Sequence, residues 1–240
     1  MGKIETGREL KKQEKTKTGK KKLRRVWWSL GVSAGVLVVF ILLLLYEPRG
    51  YGGGEKAGKK EVNSYLTHEL SPQLYEGAQR QEPFELVVLA DGVNDAIAGL
   101  GWPKETQGVK FSVPEVIFRS GRAVLMGATE MGGVEFVVSV VFEPAIDGEG
   151  LLNLHVSKIK VGAVNVTPFA KRFARQMYFE QMGGADGAFS VGERAVVSLI
   201  YDRGFEPVFE VEDKKVRMEG ITIREGELLV RFVPVAEEDF

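Results

Sequence analysis

From Val26 to Tyr46 the chain reads VWWSLGVSAGVLVVFILLLLY, with no charged side chain. At about 1.5 Å of rise per residue, a helix over this run spans the roughly 30 Å hydrocarbon core of a bilayer. Residues 47–60, EPRGYGGGEKAGKK, have no apolar period and read as a flexible glycine-rich linker. The remainder alternates between strand and helix patterns. The organisation expected is a basic tail over 1–25, a transmembrane helix over 26–46, the linker, and a strand-rich domain over 61–240.

Within that domain, period-two alternation is clearest in GVEFVVSVVFE, where Val134, Phe136, Val138, Val140 and Phe142 share one face and Glu135, Ser139 and Glu143 the other. Leu152, Leu154 and Val156 continue the style, but the apolar phase then moves to Ile159 and Val161, which predicts a bulge near Ser157–Lys158. A second phase change, around Gly220, separates Val216 and Met218 from Ile221 and Ile223. The turn signals SGR, MGG, DGEG and REGE between runs predict antiparallel hairpins.

Four helices are expected among the strands. Val62, Tyr65, Leu66 and Leu70 form one stripe; Asp91 caps a second helix carrying Val93, Ala96, Ile97 and Leu100. A third spans Thr167–Met182, with Thr167 as N-cap, Pro168 at the first helical position and Phe169, Phe173 and Met177 along one line, Lys171, Arg172 and Arg175 lying away from it. Ser190 and Glu193 have the spacing of a capping box for the fourth, although AVVSLIY also fits a strand. The fold class is α+β, a long, curved, mainly antiparallel sheet packed with amphipathic helices.

Charge fixes the direction of the anchor. Lys20, Lys21, Lys22, Arg24 and Arg25 precede the apolar run, whereas Glu47 and Arg49 follow it. Positive charge stays inside, so the N-terminus is expected in the cytoplasm and the C-terminal domain outside it. Trp27, Trp28 and Tyr46 sit at the two ends, where aromatic rings prefer the headgroup interface. No small-residue cleavage pattern follows the run, so the expectation is a retained signal-anchor of the cell membrane. An unpaired helix is the default reading of the anchor; Gly31 and Gly35 form a GxxxG pair that offers the alternative, association of two such helices into a homodimer.

The net charge of −1 conceals a basic tail joined to an acidic domain, a poor match to nucleic-acid binding. With no cysteine, disulfides and cysteine-ligated metals are excluded. The two histidines, His68 and His155, fall in no catalytic or metal spacing, and no nucleophile elbow, phosphate loop, dinucleotide fingerprint or calcium loop is present. A non-catalytic protein without cofactor is expected.

Glu61-Val-Asn-Ser-Tyr-Leu66, the run Gly150–Val161 and Gly162-Ala-Val-Asn-Val-Thr-Pro168-Phe169, set behind a basic tail and one anchor, resemble the YpmS-like group of bacterial single-pass membrane proteins. That group has no established activity, so the resemblance implies placement in the envelope and not mechanism. Long strands around one apolar helix are also similar, in layout, to tubular lipid-binding domains. Two readings follow. In one, Phe136, Val138, Val140 and Phe142 line one wall and Phe169, Phe173 and Met177 the other of a groove for a lipid or another apolar ligand; the competing packing has these side chains simply fill the core. In the other, the domain is an envelope scaffold or assembly factor that holds another protein.

Overall fold

The computed structural model describes residues 32–33, 35–48, 51–52, 63–80, 82–106, 108–182 and 190–235, and the chain forms two units, Met1–Leu44 and Leu45–Phe240. In the first, residues 32–33 and 35–44 are helical, with apolar side chains such as Val36 and Leu42 exposed. Among the described residues no helix is long and apolar enough to cross a membrane. The expected span Val26–Tyr46 lies partly outside them, and Gly31 wholly so. Around Gly35 the space that a Cβ would occupy is open.

The second unit is α+β with antiparallel sheets. π-helical turns over Tyr65–Leu70 run into α1 (Ser71–Gln79), then β1 (Phe84–Leu89), α2 (Ala90–Ala98), β2 (Lys104–Thr106), β3 (Val109–Phe111) and β4 (Glu115–Arg119). The long strands β5 (Arg122–Met131), β6 (Val134–Ile146) and β7 (Leu152–Val161) follow, with the short β8 (Val164–Asn165). Next come α3 (Thr167–Met182), α4 (Val191–Tyr201), β9 (Val208–Val211), β10 (Lys214–Arg224) and β11 (Glu227–Pro234).

The strands form two sheets, which corrects the expectation of one. The larger runs β2-β3-β5-β6-β7-β8, with β4 also on β5; the smaller runs β1-β11-β10-β9. Gly132 and Gly133, both at positive φ, close the β5–β6 hairpin with the backbone twist that suits antiparallel strands. Both expected phase changes are bulges. Val141 pairs with Lys158 but Phe142 with Val156, leaving Ser157 extra; Met218 pairs with Phe232 but Gly220 with Arg231, leaving Glu219 extra. Each extra residue turns the following side chains to the opposite face, and the apolar phase moves with them.

The smaller sheet and α1 enclose Leu86, Val216, Met218, Val230 and Phe232. Phe84 stacks on Phe232 at 5.3 Å, and Gly77 lies so close beneath Phe84 that an added Cβ would collide with its ring. Phe118 and Ala123 of the larger sheet meet Ile223 of the smaller one, with Phe142 packed beside them. The helix at 90–98 is clipped to β4 by one side chain: Asn94 Nδ2 donates to Val116 O at 2.9 Å and its Oδ1 accepts from Val116 N at 2.7 Å. Asp91 lies in the first turn of α2 while Leu89 holds the cap position, so the expected cap is displaced, and Leu100 is exposed beyond the helix end.

The outer edge of β7 is occupied by other elements. Leu152 exchanges backbone hydrogen bonds with Phe205, Leu154 N donates to Ser198 Oγ at 2.9 Å, and Ile159 N donates to Thr167 Oγ1 at 2.8 Å. Thr167 therefore spends its hydroxyl on the strand. Ser190 and Glu193 form the complete capping box at the start of α4, and AVVSLIY is helical.

Of the Gly-rich stretch, Tyr51 and Gly52 are engaged by the larger sheet. Tyr51 is buried against Met126, Ala128 and Val137, and Gly52 N donates to Glu115 Oε2 at 2.8 Å. The Tyr51 hydroxyl accepts from Ala128 N at 3.0 Å. Burial pushes that hydroxyl above its ordinary range, the Ala128 bond opposing and the Glu135, Glu115 and Glu47 carboxylates adding to the rise.

Candidate functional site

Antiparallel register determines which side chains become neighbours on a sheet face. On the face of the larger sheet that carries Tyr51, two rows cross the strands. Ile117 stands opposite Val124, Val124 opposite Val141, and Val141 opposite Lys158. Met126 stands opposite Ser139, and Ser139 opposite Lys160. The first row begins on β4 with Ile117 and the second with Glu115, which stands opposite Met126, and each ends in a lysine on β7. Arg119 and Arg122 face each other across the β4–β5 turn, at the end of the same face.

These residues line an open cleft of about 300 Å³, completed by Tyr46, Pro48, Gly162 and Ala163. Its floor is apolar, with Met126 and Ser139 buried; Arg119, Arg122 and Lys158 are exposed, and Lys160 is partly so. Among the described residues no carboxylate lines it. Glu115 on the same face is engaged by Gly52 N, and among the described residues none of the four cations forms an ion pair. The cleft offers an amphiphilic surface: a hydrocarbon floor beside concentrated, unpaired positive charge. No family model, curated protein or solved structure matches the chain.

The residues expected to line a groove are not brought together. Phe136, Val138, Val140 and Phe142 share a face as expected, but it is the face opposite the cleft. Phe142 packs beside the cluster joining the two sheets, while Phe136, Val138 and Val140 are half-buried. On α3, Phe169 is 79% and Phe173 62% exposed, so the expected second wall faces solvent; the Met177 side chain lies outside the described residues.

The reason for that reversal lies on α4. Its C-terminal end presents the Ile200 carbonyl and the Asp202 carboxylate, acceptors that attract cations. Arg175 Nε donates to Ile200 O at 3.1 Å, and Lys171 Nζ donates to Asp202 Oδ2 at 3.0 Å. His155 of β7 joins the same carboxylate at 3.0 Å, and Tyr178 meets Tyr201 edge to face at 6.0 Å. The helix is thus held by its basic side and turns its phenylalanines outward. Lys171 and Arg175 bond to α4, Lys171 partly buried and Arg175 still exposed, while Arg172 is exposed as well.

The cleft itself had a sequence signature. Lys158 and Lys160 are two residues apart on a strand and so share a face, and Arg119 and Arg122 flank a Ser-Gly turn. The residues between the carboxylates of β6, Val137 and Val141, were apolar on the face taken as polar. What joins these signals is the register, which the sequence pattern alone does not supply. Among the described residues no group of His, Asp and Glu is placed to hold a metal ion.

Proposed function

We propose that this chain is a membrane-anchored, extracytoplasmic, non-catalytic binding module whose cleft receives a lipid or another apolar ligand. The observation that carries the reading is the cleft of about 300 Å³ with its floor of Ile117, Val124, Met126 and Val141, at the lower end of the usual size for a small-molecule site. Tyr46, the last residue of the uncharged run, stands on its rim. The anchor and its direction rest on that run and the basic residues before it, and the resemblance to YpmS-like proteins agrees with such placement. Native mass spectrometry of the full chain released from membranes tests the function. Co-purifying lipid is expected, in lower yield from Val124→Asp; lipid-free protein that also fails to take up short-chain lipid rejects the reading.

A second reading, an envelope scaffold for another protein, is favoured by one observation, the exposed Phe169 and Phe173 of α3. Crosslinking in whole cells separates it from the first: a specific protein adduct lost in Phe169→Ser/Phe173→Ser but kept in Val124→Asp supports the scaffold.

A further inference from the structure

Taking the cleft as a ligand site, as above, we infer that it selects a net-anionic, phosphate-bearing head group, with an anionic phospholipid as the occupant. Four cationic side chains, Arg119, Arg122, Lys158 and Lys160, line one cleft that, among the described residues, no carboxylate lines. The surplus of acid in the remainder of this unit makes that segregation more telling. Without an anion the four repel one another, and among the described residues no carboxylate stands in the lining to relieve them: Glu115 accepts from Gly52 N, while Glu143, next on that face of β6, and Glu47, between Tyr46 and Pro48, are exposed and outside the lining.

The chemistry of the four suits a phosphate. An arginine presents a planar fork that matches two phosphate oxygens, and a lysine supplies a compact point charge. Lys158 and Lys160 stand about 6.6 Å apart along the strand by the rise of extended chain, so they reach the same head group from adjacent rows. The apolar floor beside them accepts the glycerol and the first part of an acyl chain. A zwitterionic head group fits poorly, because its ammonium finds no acidic partner in the lining.

The test uses the full chain in a neutral maltoside detergent, titrated calorimetrically with dihexanoyl phosphatidylglycerol, dihexanoyl phosphatidylcholine and inorganic phosphate. The phosphatidylglycerol is expected to bind about tenfold or more tightly than the phosphatidylcholine, with a preference that weakens in salt. Inorganic phosphate is expected to bind more weakly than the phosphatidylglycerol. Lys158→Gln/Lys160→Gln and, independently, Arg119→Gln/Arg122→Gln should each remove most of the preference while melting as the wild type does; if one pair does not fold, the other decides. Equal affinity for the two lipids, or a preference untouched by the folded variants, overturns the inference and leaves the cleft as an apolar-ligand site. Phosphate binding as tightly as the phosphatidylglycerol overturns the lipid as the source of the anion. Failure of both lipids to bind overturns the proposed function itself.

Discussion

Lys171 Nζ lies 3.0 Å from Asp202 Oδ2, joining α3 to the left-handed residue that ends α4. Burial pushes the Asp202 carboxyl up, but the Lys171 hydrogen bond and charge, followed by His155, outweigh it and hold the group below the ordinary aspartate range. A carboxyl depressed by folding stabilises the fold above its unfolded value, about 3.9, and that contribution disappears as pH falls through the folded value. Asp202→Asn tolerates the same backbone conformation, removes the charge and exchanges one of the two acceptor oxygens for a donor. It should cost about 1 kcal/mol at pH 7, a modest figure because the pair is partly exposed. Urea unfolding at pH 7 and at pH 2.5 checks this: the gap between wild type and variant should close at the lower pH.

The outward turn of α3 makes an opposite prediction for its aromatic residues. Were Phe173 in the core, truncation would cost about 3–5 kcal/mol. Exposed as it is, Phe173→Ala should change stability by less than about 0.5 kcal/mol. The same urea titration distinguishes the two, and a loss of several kcal/mol would place the ring against the sheet.

Asn94 acts as a surrogate strand partner for β4, supplying both a donor and an acceptor to Val116. Asn94→Ala leaves both backbone groups without those bonds, and the expected cost is about 1–3 kcal/mol. Hydrogen exchange should report it locally, with faster exchange at Val116 N than at the β5–β6 ladder. Unchanged protection there would mean that Asn94 contributes little.

For the anchor, a reporter joined after Phe240 should be active only where it works outside the cytoplasm. The basic residues from Lys20 to Arg25 carry this expectation, since an apolar segment alone has no direction. Replacing all five with glutamine should mix the orientations, as read by paired cytoplasmic and extracytoplasmic reporters.

Local signals in this sequence were reliable where local chemistry decides. The limits of α3, the capping box of α4 and the two bulges all follow from residues within a few positions of one another. The facing of α3 does not. Its two sides, one aromatic and one basic, compete for the same contact, and the winner depends on acceptors at Ile200 and Asp202, about thirty positions away. The cleft was hidden for a related reason: Ser139 between Glu135 and Glu143 reads as solvent-facing until the register sets it between Met126 and Lys160. The division into two sheets likewise depends on β11 lying between β1 and β10, a pairing across most of the chain.

The covered edge of β7 restricts how this protein can be recognised. An extended peptide joins a sheet by taking over free main-chain donors and acceptors at an edge. Along β7, Leu152, Leu154 and Ile159 have already given their outward N–H groups to Phe205, Ser198 and Thr167. Strand addition at this border would have to displace α4 and the start of α3 first. A protein partner approaching from this side is therefore left with side-chain surfaces, among which are the outward phenylalanines Phe169 and Phe173 of α3.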